Sequence, residues 1–216
     1  MPHFLNRDLL APNVLTVPVD PAVVAEFAII DGADPGFAAV SPQWQSDISW
    51  VSAANEESFA LFESAYDRLG LAAHVEPHLD LDKAVRLYAG FVVVRSRCEE
   101  PDFHLDLVDT GNQAFTGMTP VSVEAPGFGL LYEKLTGEVG DYEYKTGEAI
   151  VFGDNFRHST KPGSSSAPVV LLCFEFGTDK MEYWDRIRRT VGHQSGLLRQ
   201  PDGEFTRSAG GPSPGY

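Results

Sequence analysis

A mainly β fold, an antiparallel sandwich or barrel with helices on its outside, is what the sequence predicts. Three observations predict it. Between about residues 84 and 177, seven or so short runs rich in β-branched and aromatic residues follow one another. Gly or Pro separates most of them, as at Gly127, Gly137, Gly140 and Gly147, with no helical period between. The two clear helical patterns, Asn55–Leu69 and Asp179–Thr190, lie before and after this block.

Taken in order, Val14–Val19 is β-branched and apolar, and Pro18 confines it to an edge or a strand end. Val23–Ile30 is apolar and fits either a short helix or a strand. Asp31–Gly36 is a turn cluster. Trp44 and Trp50, in the irregular stretch 42–50, are expected in core packing. In the first helix Asn55 caps, Glu56 and Glu57 suit the positive N-terminal end, Phe59, Phe62, Tyr66 and Leu69 share a face, and Gly70 stops it. Strands are expected over 84–98, around His104 and Asp106, and over 115–123, 129–135, 138–145, 148–152 and 168–176. Asp179 and Glu182 have the spacing of a capping box for the last helix. The chain divides into one domain, 1–199, and a Gly-, Pro- and Ser-rich segment, 200–216, expected as a disordered tail.

The 216 residues include 43% hydrophobic ones, enough for one sizeable core. A net charge of −15 sets nucleic acid and anionic membranes aside as partners. Cys98 and Cys173 are far apart and form no CxxC, which argues against a disulfide scaffold or zinc ribbon and for reduced thiols. The N-terminal residues lack the pattern of a signal peptide, and no apolar run approaches a membrane span, so a cytoplasmic protein is expected.

Chemistry concentrates in Asp102-Phe-His-Leu-Asp-Leu. In an extended strand, residues i and i+2 point to one face, so His104 and Asp106 project together. His158, 52 residues beyond Asp106, completes a set of two histidines and one carboxylate. Such a set suits Fe(II) and leaves coordination positions open. His74 and His78 are separated by Pro77, and His3 and His193 lie near the ends; all four are expected to be structural or exposed. Ser164–Ser166 is no nucleophile elbow, and Gly127-Phe-Gly lacks the third glycine of a dinucleotide loop.

These motifs carry a resemblance. From about Leu87 to Gly177 the chain resembles the Fe(II)- and 2-oxoglutarate-dependent oxygenases, especially the prolyl- and aspartyl/asparaginyl-hydroxylase types. The likeness lies in Val92-Val-Val-Arg-Ser-Arg followed by Phe103-His-Leu-Asp, and in Gly147-Glu-Ala-Ile-Val-Phe-Gly-Asp-Asn-Phe-Arg-His-Ser. The resemblance implies a double-stranded β-helix (a cupin-like jelly roll) with flanking α-helices. It implies Fe(II) held by His104, Asp106 and His158, 2-oxoglutarate as co-substrate and O2 as oxidant. The implied reaction yields succinate and CO2 and oxidises a C–H bond of a small molecule, such as an amino acid or natural-product intermediate.

One position departs. The family's arginine, ten residues after the distal histidine, is replaced by Pro168. A buried carboxylate without a partner is costly. Another cation must therefore face the far end of 2-oxoglutarate, in the order Arg95, Lys161, Arg97. Asn112, Thr116, Thr119 and Thr160 are candidate hydrogen-bond partners. Two rival readings remain: a cupin-type metal-dependent dioxygenase or isomerase that does not use 2-oxoglutarate, and a non-catalytic ligand-binding β-sandwich.

Overall fold

The computed structural model describes residues 5–30, 32–41, 47–122 and 129–208. The elements are β1 (Leu5–Asn6), β2 (Ala11–Pro12), β3 (Val14–Pro18), α1 (Pro21–Ala25), β4 (Phe37–Val40), β5 (Ile48–Ala53), α2 (Glu56–Leu69) and α3 (Ala72–Val75). There follow β6 (Arg86–Cys98), β7 (Ala114–Ser122), β8 (Gly129–Glu133), β9 (Val139–Glu143), β10 (Glu148–Phe152), β11 (His158–Thr160), β12 (Gly163–Gly177), α4 (Trp184–Val191), β13 (Leu197–Arg199) and β14 (Phe205–Arg207). The main sheet has seven strands in the order β3-β10-β7-β12-β6-β5-β4, and a three-stranded sheet runs β11-β8-β9. All their pairings are antiparallel. From β7 to β12 the chain passes back and forth between the two sheets: β7, β10 and β12 lie in the main sheet, and β8, β9 and β11 in the small one.

Alternation along β12 shows how the sheet divides its faces. Leu172, Phe174 and Phe176 pack outward with Phe59, Phe62, Tyr66 and Leu69 of α2. Leu171 and Cys173 pack inward with Phe91, Met118, Leu130, Tyr144 and Phe152. The helix forms as expected: the Asn55 side chain accepts from the Ser58 N–H, Ser58 reciprocates, and Gly70 ends it at φ 66°. Gly90 lets α2 approach β6, since a Cβ there would lie 2.4 Å from the Phe62 Cβ. A third cluster, Tyr88, Leu107, Ala114, Trp184, Ile187 and Val191, seats α4 on the same barrel.

Three expectations need correction, and one left open is decided. The stretch around His104 and Asp106 is no continuous strand: His104 makes a single antiparallel bridge to His158, and Asp106 sits in a bend. Asp179 does not cap the last helix; its carboxylate accepts the backbone N–H groups of Asp82, Lys83 and Ala84 at 2.8, 2.8 and 3.1 Å. Three converging donors outweigh one helix cap, and the helix opens instead with a 3-10 turn at Met181–Tyr183. The segment expected as a tail begins as structure: β14 pairs with β13 around a turn at Gly203, φ 98°. Arg199 there bonds Glu63 and lies over Phe205. Val23–Ile30 resolves into α1 and a 3-10 turn, Glu26–Ile29. Trp44, residues 123–128, which hold Gly127, and residues 209–216 lie outside the described residues. Among the described residues no helix is long and apolar enough to cross a membrane.

Candidate metal centre

The bridge between His104 and His158 brings two distant parts of the chain to one point. Each backbone N–H donates to the other residue's carbonyl, at 2.9 and 3.0 Å. Nδ1 of His104 lies 2.7 Å from the Asp102 carbonyl, and Nδ1 of His158 lies 3.1 Å from the Phe156 carbonyl. A carbonyl only accepts, so in the neutral ring Nδ1 carries the proton and Nε2 presents its lone pair. Both Nε2 atoms face Asp106 Oδ1, at 3.3 Å from His104 and 3.8 Å from His158. The ligand atoms of the three residues all lie within 4.8 Å of one another. Atoms bound about 2.1 Å from a shared ion fall in that range, so donor types, tautomers and spacing fit a divalent transition metal.

Packing holds the rings. Phe152 and Phe156 lie against the His158 imidazole, with centroids 4.7 and 5.3 Å away. His158 is 3% exposed, whereas the His104 side chain is 37% exposed, so the centre opens on the His104 side. Electrostatics separate the two histidines. Burial opposes a charge on His104, but the hydrogen bond and charge of Asp106 outweigh it and hold His104 up at about 9. Burial pushes His158 down, with the neighbouring His104 acting the same way and Asp106 opposing. Burial works to raise Asp106, but His158 and His104 hold it below the usual carboxylate range. In the metal-free protein the cluster thus carries one shared proton charge on His104, which an incoming cation displaces.

The cleft beside this trio is walled by Ile48, Trp50, Phe91, Val93, Met118, Leu130 and Leu171. Arg95, Thr116, Tyr144, Thr160, Cys98, Cys173 and Gln194 also line it. Arg95 is 8% exposed and is the one arginine or lysine lining the cleft among the described residues. Its Nε donates to Asp47 at 3.0 Å and to the Arg97 carbonyl at 2.8 Å, and Nη1 donates to Thr160 Oγ1 at 2.9 Å. Tyr144 is buried, and its hydroxyl meets only the Met118 sulfur, at 3.5 Å.

The other residues considered as 2-oxoglutarate contacts lie outside the cleft. Lys161 pairs with Asp141, and Arg97 pairs with Glu99 at the surface. Thr119 donates to the Glu148 carbonyl at 3.0 Å. Asn112 binds Asp154 and Asn13 in a loop network. Arg97 shares a strand with Arg95 yet faces water, because the ladder is interrupted between Ser164↔Arg97 and Val169↔Arg95. Pro168 lies in that interruption and is exposed. Val169, the next residue, is buried directly opposite Arg95. Arg95 on β6 and Val169 on β12 thus stand at the same level of the barrel.

Sequence reading missed Tyr144, Glu175 and Gln194. Glu175 is 1% exposed, and burial drives its carboxyl well up, with Asp106 adding to the effect. An acid inside the apolar run Val169–Phe176 was the visible signal. His193, expected at an exposed end, is half-buried and close enough for its charge to act on Asp106.

No family model matches the chain, and no curated protein matches it in sequence. Solved structures do match. HygX from Streptomyces hygroscopicus, with nickel and 2-oxoglutarate bound, has a TM-score of 0.58 at 14% identity, covering 81% of this chain and 88% of its own. The α-ketoglutarate-dependent epimerase SnoN of nogalamycin biosynthesis gives 0.55 at 12%, covering 77% of each chain. A prolyl-4-hydroxylase from Pseudomonas putida gives 0.54 at 18%, covering 77% of this chain and 92% of its own. The fold is that of the Fe(II)/2-oxoglutarate oxygenases. At these identities the likeness establishes the fold; the chemistry rests on the trio and the cleft.

Proposed function

We propose that the protein is an Fe(II)- and 2-oxoglutarate-dependent oxygenase acting on a small molecule. One observation carries the reading: a set of His104, Asp106 and His158 with metal-ligand spacing shares its cleft with a buried arginine, Arg95. Fe(II) held by the trio, with 2-oxoglutarate and O2, would supply the power to oxidise an unactivated C–H bond.

The chain's own residues have definable parts. His104 and His158 offer neutral nitrogens whose orientation the carbonyls of Asp102 and Phe156 fix. Asp106 supplies the one negative charge. Arg95 takes the distal carboxylate of 2-oxoglutarate, with Thr160 holding its guanidinium and the Tyr144 hydroxyl free to exchange a weak thioether partner for a carboxylate oxygen. Asp47 neutralises Arg95 only in part, being 26% exposed. The apolar walls exclude water, which strengthens these interactions. HygX has been solved with hygromycin B bound and SnoN with nogalamycin RO bound. This supports a natural-product-sized substrate entering from the His104 side. A cytoplasmic location fits the two buried, free thiols.

The test is spectroscopic. Anaerobic protein is titrated with Fe(II) and then 2-oxoglutarate, and the visible charge-transfer band of the chelate is followed. A band that Asp106→Ala abolishes supports the reading. Metal binding without a band transfers the protein to the metal enzymes that do not use 2-oxoglutarate, and no metal binding removes both readings.

A further inference from the structure

The metal, its proposed co-substrate and Arg95 leave one end of the cleft unexplained. Three buried polar atoms there have no hydrogen-bond partner: Thr116 Oγ1, Glu175 Oε2 and Gln194 Oε1. Thr116 and Glu175 are 2% and 1% exposed and stand directly opposite each other on β7 and β12. Paired residues of an antiparallel ladder place their side chains about 5 Å apart on one face. That face is the cleft's: Thr116 lines it, and so does Cys173, two residues before Glu175 on the same strand. Gln194 reaches the same cleft from the turn after α4. Glu175 is close enough to Asp106 for their charges to interact, and it lies six residues along β12 from Val169, the partner of Arg95.

Each buried, unsatisfied polar group costs about 1–3 kcal/mol. Of five such atoms among the described residues, these three gather at one cleft, Thr116 and Gln194 in its lining and Glu175 paired with Thr116. We propose that Thr116, Glu175 and Gln194 form a substrate subsite that receives a hydrogen-bond-donating group, an amine or an alcohol, next to the metal. This rests on the oxygenase reading and names the substrate class for it. The amide oxygen of Gln194 only accepts, a carboxyl group offers an acceptor in either charge state, and a hydroxyl adapts. Asp102 and Asp106 also line the cleft, whereas Arg95 pairs with Val169, six residues before Glu175 on β12. At these three side chains a substrate carboxylate would meet acceptors; an amino or hydroxyl group meets partners.

The experiment uses the anaerobic protein loaded with Fe(II) and 2-oxoglutarate, so that the Arg95 end is filled. Ethanolamine, 1,2-ethanediol and acetate are titrated separately, and perturbation of the charge-transfer band is read. The two donor probes shift the band, acetate does not, and Thr116→Val and Gln194→Leu each weaken the donors about 5- to 10-fold. Because each change removes an unsatisfied buried group, both variants also melt at or above the wild-type temperature without ligand; a residue kept for structure would lower it. Acetate acting as well as the donors, or variants that bind donors like wild type, overturns the proposal. A wild-type protein that forms no band yet takes up ethanolamine by calorimetry, less so as Thr116→Val, sinks the oxygenase reading and keeps the subsite. Loss of band and uptake together sinks both.

Discussion

Replacing Arg95 by leucine separates the co-substrate site from the metal site. The guanidinium is 8% exposed, and three of its hydrogen bonds go to Asp47, Arg97 and Thr160. Arg95 and Tyr144 both line the cleft. A charge-assisted hydrogen bond contributes about 1.5–3 kcal/mol, and truncating one partner of a buried charge pair costs about 2–5 kcal/mol. On that scale Arg95→Leu weakens 2-oxoglutarate roughly 30-fold to several thousand-fold. Arg95→Lys recovers part of the loss, because an ammonium keeps the charge but not the fork. The variant also leaves Asp47 without its partner; at 26% exposure, water satisfies much of that carboxylate, and the stability cost stays near 1–2 kcal/mol. The assay is calorimetric titration of 2-oxoglutarate into metal-loaded protein, with metal affinity measured in parallel. Metal affinity within about threefold of wild type, with 2-oxoglutarate affinity lost, is expected of a residue outside the ligand set. A folded Arg95→Leu protein that binds 2-oxoglutarate within twofold of wild type would refute the assignment of Arg95.

Further outcomes follow from the same geometry. Asp106→Ala and His158→Ala each lower Fe(II) affinity by at least about 100-fold, read by competition with a chelating dye; Asp106 also loses its role of screening two imidazoles. His104, held up at about 9 against 6.5, stabilises the metal-free fold fully below pH 6.5 and loses that contribution as pH rises through about 9. Because the metal needs the neutral ring, Fe(II) or Mn(II) affinity rises over the same interval, and binding at pH 7 releases close to one proton in two buffers of different ionisation heat. Gly90→Ala forces a Cβ into Phe62 and lowers the unfolding free energy by about 1–3 kcal/mol in denaturant titration, whereas Gly137→Ala, with open space around it, costs only the strain of its φ of 82°.

Local signals in the chain were readable, and long-range ones were not. The face of α2, its Asn55 cap and its Gly70 stop follow from spacing alone. The His104, Asp106 and His158 trio was visible because each residue type is rare in β-rich runs and the spacing falls at strand starts. The strand expected for the first two residues was wrong in form, yet the bend at Asp106 still turns both side chains to one point. Arg95 could be ranked but not placed, since what buries it is Asp47, 48 residues away, and the break in the β6–β12 ladder. Gln194 gave no signal, because only the return of the chain after α4 carries it to the cleft. The hairpin of β13 and β14 hid in a Gly- and Pro-rich composition that also describes disorder; the Arg199–Glu63 contact and Phe205 packing on Phe59, with centroids 5.0 Å apart, hold it down. β4, the edge strand, offers only Phe37-Ala-Ala-Val, four residues with no polar alternation.

The central claim is that this cleft couples iron to the oxidative decarboxylation of 2-oxoglutarate. The direct measurement is release of labelled CO2 from 2-oxoglutarate labelled at C1, with succinate quantified in the same reaction. Wild-type protein with Fe(II), 2-oxoglutarate and O2 releases CO2 and succinate in equal amounts, and Asp106→Ala or omission of Fe(II) reduces both to background. Wild-type protein that binds Fe(II) and 2-oxoglutarate yet yields neither product, with every class of amine and alcohol offered as co-reactant, would contradict the account.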